Sequence, residues 1–285
     1  TIFWQRFGRK LRELAYNETD GWRCPDLTLL AEHITSPKVL YNAYQQEPDS
    51  ILWAVRSDGV LLSLTYLRPE DVIGWVRHPG SGEVESIAVI PTPDESANEL
   101  WAVVKREING AVKRYIEYLD PNILVDSGLT YSGAPVLSVS GLSHLEGETV
   151  KVVGDGMVYN DAVVASGSIT LSPAHAASEI QVGLAYTSKL ETMRPEVMLG
   201  NGSSRGMKKA WGDCFVNLLE SGGLTINGEV VPFGFAYGEA VDLFSGDKRV
   251  NQLGWDRNEG RIIIEQTQPL PCTVLAIFGS LEIGG

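Results

Sequence analysis

The chain has 285 residues, 44% of them hydrophobic, enough for two domains with real cores. Its 23 basic and 36 acidic side chains give a net charge of -13, spread along the chain without an acidic tail, a balance that repels nucleic acid and anionic membranes. Cys24, Cys214 and Cys272 are few, odd in number and without CxxC spacing, which argues against a disulfide framework or a zinc knuckle and fits synthesis in a reducing compartment.

The chain opens on Thr1 inside an apparent strand with no signal-peptide pattern, which reads as a fragment of a longer protein. Nowhere does an apolar run approach the roughly 18 residues of a membrane span. Trp4, Trp53 and Trp101 recur at intervals of about fifty residues, the mark of a β-propeller or another repeat array. The copies read TIFWQRFGRKLRELAY, SILWAVRSDGVLLSLTY and ELWAVVKREINGAVKRYIEY. Each has a short apolar run closed by tryptophan, a turn glycine, and a second strand-like run ending near a tyrosine. Repeated at one strand position per blade, the three tryptophans are expected to form core between blades rather than a stacking platform.

Between the first two copies, Asp26 is expected to cap a helix carrying Leu27, Leu30, Ala31 and Ile34 at i, i+3, i+4 and i+7, stopped by Pro37. Its expected role is packing or an interface. Strands are predicted over 39–45, 51–56, 60–67, 72–78, 84–90, 100–107 and 111–119. Asp58-Gly59 and Asn109-Gly110 are the hairpin turns, supplying the positive φ that tight turns require.

From Asp120-Pro121 the texture changes, and Asp126-Ser127-Gly128 with Tyr131-Ser132-Gly133-Ala134-Pro135 reads as a linker over 126–135. Residues 136–187 then alternate short strands with tight turns such as Gly154-Asp155-Gly156 and Ser166-Gly167-Ser168. In the last segment, 209–220 fits a strand better than a helix face because of Gly212 and Gly222-Gly223. Strands over 261–266 and 272–283 flank a proline-bounded turn, and their continuous apolar runs suit burial on both faces. The expected fold is mainly β. A partial β-propeller of about three blade-like repeats (1–125) precedes a small β-barrel-like domain (136–187) and a β-sandwich-like C-terminal domain (188–285).

Chemistry-bearing patterns are sparse. His33, His78, His144 and His175 are isolated, with no second ligand at metal spacing. No nucleophile elbow, Walker loop or strand-linked G-x-G-x-x-G is present, so neither a cofactor nor a catalytic set is expected. The loop 200–206 followed by Lys208-Lys209 could cradle an anion through Ser203, Ser204, Arg205, Lys208 and Lys209, but lacks the ending of a phosphate-binding loop and reads first as a connector. Arg6, Arg9, Lys10 and Arg12 form a short basic cluster, expected at a solvated hairpin edge or a subunit contact. Acidic pairs such as Glu83 with Glu85 could serve a glycosidase only if they faced each other across a cleft.

Several long segments resemble one family. They are Cys24–Ile34 (CPDLTLLAEHI), Ala43–Ser50 (AYQQEPDS), Ile51–Tyr66 (ILWAVRSDGVLLSLTY), Gly74–His78 (GWVRH), Glu85–Ile90 (ESIAVI), Leu145–Val150 (LEGETV) and Pro269–Val274 (PLPCTV). These resemble the tail nozzle proteins of short-tailed bacteriophages (podoviruses), also called stabilisation or tail tubular proteins. The resemblance implies a virion structural protein, made in the bacterial host cytoplasm, with a β-propeller body and no enzymatic residues. It implies a self-associating ring, a hexamer, beneath the portal and the head-tail adaptor, enclosing the channel of DNA ejection. Family chains run longer at the N-terminus, and three repeats cannot close a propeller that needs about four blades. An acidic wall would let duplex DNA slide, where a basic one would hold it through counterion release. The alternative is a propeller-type glycan-binding module or glycosidase acting on host surface polysaccharide.

Overall fold

A computed structural model describes residues 1–19, 21–200, 202–233, 239–250 and 260–284. The fold is mainly β, and it divides into two compact units, Thr1–Asn122 and Ile123–Gly285.

The first unit is a stack of blade-like antiparallel sheets. Two short hairpins open it: β1 (Ile2–Trp4) with β2 (Leu11–Glu13), and β3 (Ala15–Asn17) with β4 (Gly21–Arg23). After a single helical turn, α1 (Glu32–Thr35), come β5 (Val39–Gln45), β6 (Ile51–Arg56), β7 (Leu61–Leu67) and β8 (Val72–His78), a four-stranded meander in chain order. The strands β9 (Glu83–Pro91), β10 (Asn98–Ile108) and β11 (Ala111–Tyr118) form a three-stranded meander.

The middle sheet is covered on both faces, which is why β6 reads as an unbroken apolar run rather than an alternating one. On one face Leu52 and Leu64 pack with Leu11 and Leu27 from the N-terminal segment. On the other, Trp53, Val55 and Leu61 pack with Leu100, Val84, Ile87 and Val89 of β9 and β10. A buried carboxylate ties the N-terminal hairpin to the same sheet. Glu13 accepts hydrogen bonds from the Tyr66 hydroxyl (2.7 Å) and the Arg68 guanidinium (2.9 Å). Burial, and then the bond to Glu13, push the Tyr66 hydroxyl up to about 12.

The helix expected from Asp26 shrinks to the four residues of α1. The Asp26 carboxylate is taken by Thr28, whose backbone N–H and hydroxyl both donate to Oδ1 (2.9 and 2.6 Å), closing a local turn in place of a helical start. Leu27 and Ala31 are buried, whereas Leu30 is 92% exposed, so no continuous helical stripe exists.

The second unit begins with β12 (Asp126–Val136), where a linker was expected over 126–135. Register shifts on both sides of its paired centre absorb the turn-type residues, including Ser127 at φ 50°, so a segment that reads as loop still completes a ladder. There follow β13 (Ser138–Ser140), β14 (Thr149–Gly154), β15 (Met157–Val158), β16 (Ala162–Val163), β17 (Ser168–Thr170) and β18 (Ala177–Leu184). β12, β18, β14 and β15 form one sheet in that order, with β16 on β14, while β13 pairs β17. Val139, Leu142, Leu145, Val152, Ile180 and Val182 are each at most 2% exposed.

The remaining strands are β19 (Ser188–Glu191), β20 (Met198–Leu199), β21 (Gly202–Ser203), β22 (Lys208–Ser221), β23 (Leu224–Ile226), β24 (Glu229–Val230), β25 (Phe244–Val250), β26 (Ile263–Gln266) and β27 (Thr273–Gly284). Two sheets, β19-β26-β23-β24 and β25-β22-β27, enclose a core of Cys214, Val216, Leu218, Leu224, Ile226 and Ile264. Burial in β22 alternates at 214, 216 and 218, the period of a strand, and its register against β27 shifts beside Gly212. Residues 136–187 and 188–285, expected as separate domains, belong to one compact unit.

Candidate functional site

The three repeat tryptophans occupy three different environments. Trp53 is 3% exposed between the two stacked sheets, and its indole N–H donates to Gln45 Oε1 at 2.9 Å. Trp4 is partly buried against the N-terminal side of the middle sheet, edge-on to Trp75 at 6.1 Å. Trp101 faces away from the stack. It is Leu100, one residue earlier, that joins Trp53 in the core, and strand alternation turns Trp101 to the outer face. There it meets Tyr118 across the ladder at 5.3 Å, and its N–H donates to Glu99 Oε2 at 3.1 Å.

The two turn dipeptides also differ. Asn109 and Gly110 both have positive φ (50° and 70°), as a two-residue hairpin requires. In the other turn only Gly59 does, at 79°, while Asp58 holds the Arg56 guanidinium by a two-point ion pair. Gly59 is also a close-approach position, because its carbonyl accepts from Val84 N–H at 2.8 Å.

The candidate anion loop does not converge. Ser204 is fully buried and its hydroxyl accepts from Val197 N–H at 3.0 Å. The Ser203 hydroxyl accepts from Arg205 N–H, and the Arg205 side chain, 74% exposed, lies 3.8 Å from Glu196. Lys208 and Lys209 are neighbours in a strand, so they point to opposite faces; Lys208 is exposed and Lys209 is 1% exposed. Asn201, in the same loop, lies outside the described residues.

Most of the other charges noted in the sequence are matched locally. Lys10 lies 2.6 Å from Glu32 and 3.4 Å from Asp26, and Arg12 donates to the Cys24 carbonyl. Arg6 sits over the Phe7 ring. Glu83 pairs with Lys105 at 2.9 Å, and Glu85 with Arg114 at 2.8 Å, rather than facing each other across a cleft. His78 is half-buried, within 2.7 Å of the Ser63 hydroxyl and 5.2 Å of the Trp53 ring, and this desolvation lowers its pKa. No group of three or more potential metal ligands is found among the described residues. Burial pushes the Cys214 thiol up to about 11, which removes it as a nucleophile.

What stands out instead is the outer face of the β9-β10-β11 sheet. The ladder places Trp101, Val103, Lys105, Ile116, Tyr118, Arg114 and Val112 on it. Ile116 is 75% exposed, Val112 58%, Tyr118 49% and, at the β9 edge, Ile90 47%. The Arg114–Glu85 and Lys105–Glu83 pairs cross this face, in the row between Ile116 and Val112. The alternation of AVKRYIEY reveals a strand, but not that its apolar side faces solvent; that depends on which side of the sheet β6 and β7 occupy.

No family model and no curated protein matches the chain. Among solved structures the chain is similar to that of an exo-beta-1,3-galactanase from Phanerochaete chrysosporium, crystallised with galactose, at 11% identity and a TM-score of 0.20, over 100% of this chain and 68% of that one. A likeness of that size carries no argument about fold or activity.

Proposed function

We propose that this chain is a virion structural protein, a ring-forming component of a short phage tail of the nozzle kind, which lines or supports the channel through which DNA leaves. The observation that carries the reading is the outer face of the β9-β10-β11 sheet, an exposed apolar and aromatic surface crossed by two ion pairs. That is the anatomy of a surface meant to be covered by protein. The motif resemblance and the net charge of -13, which suits a conduit that must not grip its DNA, support the same reading. In it the chain acts by packing: it contributes sheet faces to a symmetric assembly, with the head-tail adaptor and other tail proteins as neighbours.

The test is the mass of the protein in solution, with negative-stain imaging, alone and mixed with portal and adaptor. Rings with a central opening wide enough for duplex DNA are expected, and Ile116→Glu on the outer face should lower the assembled fraction. Monomers under every condition would overturn the reading. They would favour the glycan-binding alternative, whose first surface to probe is the exposed pair Tyr16 and Trp22, 5.3 Å apart on β3 and β4.

A further inference from the structure

One cleft lies wholly within the second unit. Its volume is about 290 Å³, and its two walls differ in chemistry. The polar wall is one side of the β12-β18-β14 sheet, where the ladder aligns Thr130 with Gln181 and Gln181 with Val153. The next row along holds Glu179, and Asp155 follows β14 at the turn. The opposite wall is apolar: Val241, Leu243 and Pro269-Leu270-Pro271.

The two carboxylates are fixed. Asp155 accepts the backbone N–H groups of Ser178 (2.9 Å) and Glu179 (2.8 Å), which hold it ionised by lowering its pKa. Glu179 Oε1 accepts the Ser132 hydroxyl at 2.5 Å. Yet neither has a cationic partner among the described residues. Both are solvent-exposed at the rim of the cleft. An apolar wall facing two unpaired carboxylates matches a side chain that is aliphatic along its stem and cationic at its tip.

We infer that this cleft docks a lysine or arginine side chain presented by a segment of a partner protein, its stem against Val241, Leu243 and Leu270 and its charge between Asp155 and Glu179. The inference is independent of ring assembly, since it rests on neither the first unit nor self-association. Charge complementarity selects the occupant: a neutral apolar side chain would leave both carboxylates unmatched, and an anionic one would be repelled.

The full chain, methyl-labelled, is titrated with the capped peptide Gly-Ser-Lys-Ser-Gly, and the methyl resonances of Val241, Leu243 and Leu270 are followed by NMR. Saturable shifts confined to these residues are expected. Replacing the lysine by norleucine, which keeps the stem and removes the charge, should weaken binding about tenfold. So should Asp155→Asn with Glu179→Gln. Asn tolerates the left-handed backbone at Asp155 (φ 48°), and Gln keeps an acceptor for Ser132, so the variant should fold. If the double variant does not fold, Glu179→Gln alone carries the test. The control, Asp49→Asn with Glu70→Gln, makes the same change in net charge in the first unit and should leave binding unchanged. Absence of shifts with the lysine peptide, or equal weakening by the two double variants, would overturn the inference. Ring formation is read separately, so either proposal can fail alone.

Discussion

Arg106 and Glu117 form a two-point ion pair between β10 and β11, Nε to Oε1 at 2.7 Å and Nη2 to Oε2 at 2.6 Å, with the arginine side chain 3% exposed and the glutamate 22%. Arg106 Nη1 also donates to the Ser81 hydroxyl at 2.7 Å. The pair sits on the inner face of its sheet, so the two partners are not equivalent. Removing the glutamate takes the counter-charge from a guanidinium that is 3% exposed, whereas removing the arginine leaves a carboxylate that is partly hydrated. Glu117→Gln should therefore cost about 3 kcal/mol and Arg106→Met distinctly less, near 1 kcal/mol. Urea denaturation of both variants checks the order; equal losses would mean that the guanidinium reaches solvent.

Gly59 and Gly110 both have positive φ, and their surroundings separate two costs. A Cβ on Gly110 would meet nothing within 4 Å, whereas on Gly59 it would lie 2.6 Å from Glu83 Cβ and 2.9 Å from Glu83 Cα. Gly110→Ala should cost about 1 kcal/mol from the left-handed backbone alone. Gly59→Ala adds overpacking against β9 and should cost about 3 kcal/mol in all. The difference in their urea midpoints measures how firmly this turn is clamped to the next sheet.

These contrasts show where the sequence was legible. Strand positions in the first unit follow from apolar runs and turn dipeptides, and β5 to β11 fall within a few residues of expectation. What a repeat cannot show is which face each strand turns inward. The ILW and ELW runs look alike, yet Trp53 points into the stack and Trp101 out of it. The loop-like composition of 126–135 conceals β12 for a related reason. Ser, Gly and Pro signal loops locally, but bulges let β12 keep its ladder with β18. Lys209, next to Lys208 in a promising basic run, turned inward because a strand alternates. The cleft of Asp155 and Glu179 has no sequence signal, since its walls come from segments at least 60 residues apart.

Trp53 and Trp4 offer a direct test of their unequal roles. Gln45 is 8% exposed, and Trp53→Phe would leave its Oε1 without the indole donor. A loss of about 2–3 kcal/mol is expected from that unmet acceptor together with lost packing. The Trp4 indole N–H has no partner among the described residues, so Trp4→Phe forfeits packing only and should cost about 1 kcal/mol. Denaturation curves of the two variants, with equal slopes, decide this; a costlier Trp4→Phe would make the N-terminal hairpin the main clasp of the stack.

His78 supplies the pH dependence. It lies at the end of β8 between the stacked sheets, against the Trp53 ring and the Ser63 hydroxyl, and burial lowers its pKa below the ordinary 6.5. The unfolded chain therefore binds a proton at a higher pH than the folded chain does. The stabilisation from keeping this imidazole neutral is complete above about pH 6.5 and is lost as pH falls below it. His78→Gln keeps a hydrogen-bonding group beside Ser63 and cannot titrate. Stability of the natural chain should therefore fall more steeply than that of His78→Gln as pH drops from 7 toward 5, with the two curves parallel above pH 7. Parallel curves throughout would mean that the imidazole is hydrated in the folded state, and the tight seating of the two sheets around Trp53 would have to be abandoned.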